Sequence, residues 1–209
     1  ASVRDTLEAT ERAALALARR VVVTSGFTAR QLADYAVPPG RIHVVEPGVD
    51  PSTLAAADHE PPRLLCIASI VPRKGHLVLI EALDALQALP WSCTLVGSAD
   101  RDRAHAGAVT QAIKAAGLSG RITLTGELPP ARLQEYWLGA DLFVLPSFYE
   151  GYGMVVTEAI AHGLPVLTTR GGALAETLPP GAGVLASPGD AAALADALGQ
   201  LLRDGGARA

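Results

Sequence analysis

Only two cysteines, Cys66 and Cys93, occur among the 209 residues. They make no metal-ligand spacing and no disulfide framework. Both fall in strand candidates, where they read as small, reduced core residues. Aromatic residues are equally scarce, at 4%. Any core must therefore be built from Ala, Val, Leu and Ile, the material of buried parallel strands flanked by helices. No apolar run approaches the roughly 18 residues of a membrane span. The opening Ala1-Ser2-Val3-Arg4-Asp5 also lacks the apolar stretch of a signal peptide. Basic residues do not dominate: the net charge of -4 and pI near 5.7 exclude a nucleic-acid-binding protein that relies on a basic face. An anionic small molecule stays within reach, because a few placed cations and amides suffice to hold one. These shortages describe a cytoplasmic α/β protein.

What is present supports a sizeable core: hydrophobic residues make up 49% and charged residues 18%. After residue 60, short apolar runs alternate with helical stretches. Strands are expected at 63–68, 93–96, 121–124, 141–145, 165–167 and 183–185. Helices are expected at about 74–89, 104–116, 130–138, 153–162 and 190–203, with Leu79, Leu83 and Leu86 on one buried face and Leu194, Leu198 and Leu201 on another. Six strands alternating with helices predict a doubly wound, Rossmann-like parallel sheet, with ligands bound beyond the carboxyl ends of its strands. Residues 1–51 do not fit that count. They read as helix, strand, short helix and strand, ended by Pro47-Gly48-Val49-Asp50-Pro51. They are too few to make a sheet of their own, and are expected to be a fragment of a preceding domain.

The richest stretch begins at Asp141. An apolar strand, Leu142-Phe143-Val144-Leu145, leads through Pro146-Ser147 into Phe148-Tyr149-Glu150-Gly151-Tyr152-Gly153 and then a helix from about Met154. Gly151 and Gly153 let backbone amides approach a ligand, and the helix start presents unpaired N–H groups and a positive dipole end. This combination holds a phosphate without needing a basic side chain. Glu150 and Glu158, eight positions apart, offer carboxylates to sugar hydroxyls. If the whole segment were helical, they would stand roughly 12 Å apart along the axis, comparable to the span from ribose to hexose in a nucleotide sugar. Taken singly, each glutamate is more simply a loop charge or a solvated helix residue. Lys74 stands out by rarity, as one of two lysines (the other is Lys114) against fifteen arginines. Beside Arg73 at a strand-to-helix turn, it marks a place that favours an ammonium.

The run from Glu150 to Val166 resembles the Glu-x7-Glu signature of family-4 retaining glycosyltransferases of the GT-B fold. Pro72-Arg73-Lys74-Gly75 resembles that family's phosphate loop, and Leu95-Val96-Gly97, Gly126 to Asp141 and Gly171-Gly172 fall where the family places such segments. The resemblance implies that residues 52–209 are the donor-binding, C-terminal half of the fold. Residues 1–51 would be the tail of the N-terminal acceptor domain and the linker. It implies that Glu150 contacts the donor sugar near the reacting carbon and that Glu158 holds the ribose. Backbone around Gly151, Tyr152, Gly153, Met154 and Val155 would surround sugar and phosphates, while Lys74 neutralises the diphosphate leaving group and Leu128 lies against the base. The donor would be a UDP-, GDP- or ADP-sugar, and no metal or other cofactor is expected. Peripheral membrane association of a parent enzyme fits the family, and an uncovered face of the 1–51 fragment is a candidate homodimer surface.

One departure concerns the phosphates. The family usually carries Gly-Arg where this chain has Ala68-Ser69, leaving Arg73 or the weaker donor Ser69 to take the arginine's part. With the acceptor domain missing, the chain is expected to bind a donor without efficient turnover. A plain nucleotide-binding module and a GT-B epimerase are the alternatives. A dehydrogenase predicts Gly-x-Gly-x-x-Gly after the first strand, and Ser69-Ile70-Val71-Pro72-Arg73-Lys74 stands there instead.

Overall fold

The computed structural model describes residues 2–204, which form two compact units divided between Gly48 and Val49. The first unit contains α1 (Val3–Leu17), β1 (Val21–Val23), α2 (Gly26–Gln31), two short 3-10 turns and β2 (Ile42–Val44). β1 and β2 pair in parallel. Ser2 and Asp5 form a capping box that starts α1. Arg12 ties α1 to the first of these turns, donating to the Asp34 carbonyl at 2.7 Å with its guanidinium 4.9 Å from the Tyr35 ring centroid.

The second unit is a six-stranded, wholly parallel sheet. Its strands are β3 (Arg63–Ile67), β4 (Ser92–Val96), β5 (Ile122–Gly126), β6 (Leu142–Leu145), β7 (Val166–Thr169) and β8 (Gly183–Ala186), in spatial order β5-β4-β3-β6-β7-β8. Successive side chains of a strand point to opposite faces, and the core divides accordingly. Leu64, Cys66, Leu142 and Val144 join the cluster with Leu79, Leu83, Val109 and Leu198, from α3 (His76–Asp84), α4 (Arg103–Ala115) and α8 (Ala191–Arg203). Leu65, Phe143 and Leu145 join Trp137, Val156, Ala159 and Leu174, from α5 (Pro130–Leu138), α6 (Met154–Ala161) and α7 (Leu174–Thr177). A sheet covered on both faces explains why its strands are apolar without alternation. Two of the sparse aromatics meet in the second cluster, with Trp137 packed against Phe143 at 5.3 Å and stacked on His162 at 4.9 Å.

Two local departures from expectation matter for the site. The helix expected over 74–89 is shorter. Pro72–Lys74 form a 3-10 turn, Gly75 takes a left-handed φ of 71°, and α3 runs only from His76 to Asp84. Lys74 therefore sits on the turn before the helix. The four-residue α7 was not expected, being too short to show periodicity.

Counted along the second unit, the strand order is the doubly wound one that reverses between its first and fourth strands, here β3 and β6. The connections leave these two strands in opposite directions, opening a crevice beyond their carboxyl ends.

Candidate functional site

Two loops meet at the reversal point. The loop after β3 runs beside the end of β4, with the Ala68 and Ile70 amides donating to Val96 and Ser98 carbonyls at 2.9 Å, before it enters the Pro72–Lys74 turn. The loop after β6 crosses it closely, and the Phe148 amide donates to the Arg73 carbonyl at 2.8 Å. A side chain at Gly75 would run into the Pro146 carbonyl, so only glycine suits both its backbone angle and its neighbour. On the other side, Glu150 is clipped to the loop after β7. Its amide donates to Gly171 at 3.2 Å and its carbonyl accepts from Ala173 at 2.8 Å. Thr169 donates to the Ser147 carbonyl and Thr177 to the Tyr152 carbonyl, each at 2.5 Å. Threonines at the end of β7 and in α7 thus hold the loop in place from beneath.

This scaffold brings Arg73, Lys74, Ser147 and Glu150 together. Glu150 is buried at 7% exposure. Its Oε1 accepts from Lys74 Nζ at 2.5 Å and Ser147 Oγ at 2.7 Å, and its Oε2 accepts from Arg73 at 3.1 Å. The same Arg73 guanidinium donates to the Tyr149 carbonyl at 2.5 Å. Burial alone would raise the Glu150 pKa; hydrogen bonds from Lys74 and Ser147, with the charges of Lys74 and Arg73, outweigh it and hold the carboxyl below its ordinary value. An ionised carboxylate has about four acceptor directions, so Oε2 retains one.

Beyond Gly151 and Tyr152 the chain turns at Gly153, φ 96°, into α6. No side chain caps this helix, so the leading N–H groups of Met154 and Val155 keep their donors and dipole for a ligand. Glu158 is the fifth residue of α6, half-buried, and no bond joins it to the Glu150 cluster. Burial raises its pKa, and the charge of His162 offsets this only in part. The separation of roughly 12 Å reckoned from an unbroken helix does not apply, because the helix begins only at Met154. Ser69 and Leu128 meet in a cavity of about 210 Å³ at the carboxyl ends of β3, β4 and β5. A second cavity, of about 280 Å³, lies at the amino ends of β3 and β4 beside the C-terminal end of α5. The helix end there is the negative one and repels an anion.

One Asp-x-Asp spacing, a pattern associated with metal-bound diphosphates and passed over in the sequence reading, occurs after β4 as Asp100-Arg101-Asp102. Asp100 pairs with Arg103 at 2.8 Å, and Asp102 caps α4 by accepting from the His105 amide at 2.9 Å. Both carboxylates serve the helix start. Among the described residues no three His, Cys, Asp or Glu converge as a metal site, and no helix is long and apolar enough to cross a membrane.

Residues 61–204 match the family described as glycosyl transferases group 1, and residues 2–53 match glycosyltransferase family 4. The chain belongs to the group 1 glycosyl transferases. It is 34% identical over 93% of its length to a D-inositol 3-phosphate glycosyltransferase of Nocardia farcinica, covering 47% of that protein. It is 30% identical over 94% of its length to an MMP alpha-(1->4)-mannosyltransferase of Mycolicibacterium hassiacum, covering 48%. The chain thus spans about half the length of these relatives. Among solved structures it resembles sucrose-phosphate synthase of Thermosynechococcus elongatus (TM-score 0.88, 28% identity, 98% of this chain and 54% of that one). It also shares its fold with Anabaena HepE in complex with UDP-glucose (TM-score 0.86, 22% identity, 99% and 61%). The group 1 chain therefore has the expected fold, the Rossmann-like half of a GT-B glycosyltransferase preceded by a fragment of the other half.

Sequence reasoning missed Ser147, Thr169 and Thr177. Each acts on the site loop through its hydroxyl, with a loop partner 3 to 25 positions away, and nothing in their local pattern distinguishes them from ordinary strand-end or helix residues.

Proposed function

We propose that the six-stranded unit is the donor-binding domain of a glycosyltransferase that moves a sugar from a nucleotide diphosphate to an acceptor with retention at the anomeric carbon. The observation that carries this reading is the convergence, at the reversal point of the sheet, of Lys74 and Glu150 beside the uncapped start of α6. Carboxylate, ammonium and free helix amides in one crevice suit a ligand with hydroxyls at one end and phosphates in the middle.

In this reading Lys74 and the amides of Met154 and Val155 face the diphosphate. Negative charge grows on that group as the glycosidic bond breaks, so fixed positive ends there favour the transition state over the ground state. Glu150 holds Lys74 and Arg73 in place and uses its remaining Oε2 direction for a sugar hydroxyl, while Gly151 and Tyr152 border the sugar. Glu158, ionised on binding, accepts from the ribose hydroxyls, and the base enters the cavity lined by Ser69 and Leu128. The diphosphate charge is assigned to cations and amides of the chain rather than to a metal or cofactor. Residues 1–51 are the tail of an acceptor domain, without which turnover is slow. Residues 52–209 suffice for the donor. The proposed setting is the cytoplasm.

Thermal-shift titrations with UDP, GDP and ADP and their glucose, mannose and N-acetylglucosamine conjugates test this. Ligand at a hundredfold excess over Kd should stabilise by about 2.7 kcal/mol, a shift of roughly 5–11 °C for a chain of this size. The shift should appear for one base and shrink by about half or more in Lys74→Ala and Glu158→Ala. No shift with any of them would sink the donor-site reading.

A further inference from the structure

The donor reading leaves a charge unanswered. Both phosphoryl groups of a sugar nucleotide are anionic, yet the Arg73–Lys74–Glu150 cluster combines two cations with one carboxylate, and Arg73 is committed to Glu150 and to the Tyr149 carbonyl. Ser69, on the neighbouring cavity wall, brings a hydroxyl and no charge.

The missing cation stands on that same wall. Arg101 lines the cavity together with Ser69 and Leu128. It belongs to a run of four alternating charges, Asp100-Arg101-Asp102-Arg103, and the other three are used locally. Asp100 and Arg103 form an ion pair at 2.8 Å, and Asp102 caps α4 through the His105 amide at 2.9 Å. Arg101 makes no hydrogen bond or ion pair with any described residue. A cap and a neighbouring ion pair fix the backbone from which it projects. The result is an exposed guanidinium, with no partner of its own, beside an opening whose other walls are largely apolar. Glu127 shares the rim without pairing to Arg101.

We propose that Arg101, at the rim of the cavity assigned to the base, is a donor-binding residue that takes a phosphoryl oxygen of the nucleotide, adding its charge to that of Lys74 and the amides of Met154 and Val155. The inference rests on the donor-site reading above. A guanidinium on a phosphate is a charge-assisted, two-pronged contact. Because Arg101 holds no other part of the protein, its removal should leave the fold intact.

The test is calorimetric titration of the 209-residue chain with UDP, GDP and ADP, at low and at high salt. The proteins compared are wild type, Arg101→Ala, Arg101→Lys and the double variant Arg101→Ala with Ser69→Arg. Arg101→Ala should weaken the diphosphate that binds by at least about tenfold at low salt, with a smaller loss at high salt. Arg101→Lys should retain part of the affinity, and Ser69→Arg should restore much of it, since residue 69 opens on the same cavity. Unchanged affinity in Arg101→Ala would overturn the inference while leaving the donor site standing. So would a loss that ignores salt and is not recovered by Ser69→Arg, because that marks a contact to the base. If wild type binds none of the three diphosphates, the donor-site reading itself fails.

Discussion

Asp141 and Glu150 stand at opposite ends of one strand, β6, and both are buried carboxylates with hydrogen-bonded oxygens. Their partners differ in kind. Asp141, fully buried, accepts from the backbone amides of His59 at 2.9 Å and Arg63 at 2.7 Å, and meets the His59 ring at 3.1 Å. These amides belong to the main chain and cannot leave, so the carboxylate fastens the segment before β3 to the sheet. Glu150 is held mainly by the ends of two long side chains, Lys74 and Arg73. The lysine end can swing to a competing anion at small cost, because only side-chain torsions change, while Arg73 is also tied to the Tyr149 carbonyl. The same chemical group is therefore a rivet at the amino end of the strand and an exchangeable contact at the carboxyl end.

The largest expected effect breaks the rivet. Asp141→Ala leaves two part-buried amides without their acceptor and should destabilise the six-stranded unit by about 2–4 kcal/mol. Its melting temperature should fall by roughly 10 °C, with unchanged nucleotide affinity in protein that remains folded. A drop in affinity at constant stability would remove the distinction. Next comes Gly172→Ala. At φ 69° its new methyl group would press on the Glu150 backbone, a cost of about 2–3 kcal/mol. Here calorimetry and binding should fall together, since the clip that sets Glu150 is displaced.

The exchangeable end is tested by Lys74→Ala and Glu150→Gln. Lys74→Ala leaves Glu150 with Ser147 and Arg73, so the expected loss of stability is only about 1–2 kcal/mol. Nucleoside diphosphate affinity should drop by roughly 10- to 100-fold, as for a lost charge-assisted contact. Glu150→Gln frees both cations, and affinity for a free diphosphate should hold or rise. If Lys74→Ala costs as much stability as Asp141→Ala and leaves affinity untouched, the Glu150 cluster is a second rivet.

The two carboxylates were unequally legible in sequence. Glu150 announced itself through glycines, a strand–loop–helix rhythm and a partner eight positions on, all of them local features. The rhythm also yielded the six strands, because residues buried on both faces leave an unbroken apolar run. Asp141 appeared only as the first residue of a strand, and nothing in the sequence marked His59 as its partner. The bond between them spans 82 positions, which no periodicity reports. Lys74 stood out by its rarity and took its phosphate role from the family resemblance, yet its contact with Glu150, 76 positions away, depends on which strands are neighbours. Strand order is decided by right-handed crossovers and packing rather than by any segment alone. Arg101 was invisible for the same reason: its neighbours Ser69 and Leu128 come from two other strand ends.

The smallest effect, and the most diagnostic, concerns Glu158, whose carboxyl departs from its ordinary value in the direction opposite to Glu150. Glu150, with its pKa lowered by folding, contributes stability that is present above the ordinary glutamate range and lost as pH falls through its folded value. Glu158, raised chiefly by burial, does the reverse: the unfolded chain ionises first, so the residue costs stability as pH rises past its unfolded value. Glu158→Gln should therefore melt slightly higher than wild type at pH 7, and the advantage should disappear under acid conditions where wild-type Glu158 is protonated. Donor affinity should move the other way, falling about tenfold with the loss of a charged acceptor for the ribose. Repeating the titration with a 2′,3′-dideoxynucleoside diphosphate separates the causes, because wild type and variant should then bind alike. A variant that gains no stability at pH 7, or that loses the dideoxy ligand as severely as the natural one, would place Glu158 outside the ribose site and leave its raised pKa a matter of packing alone.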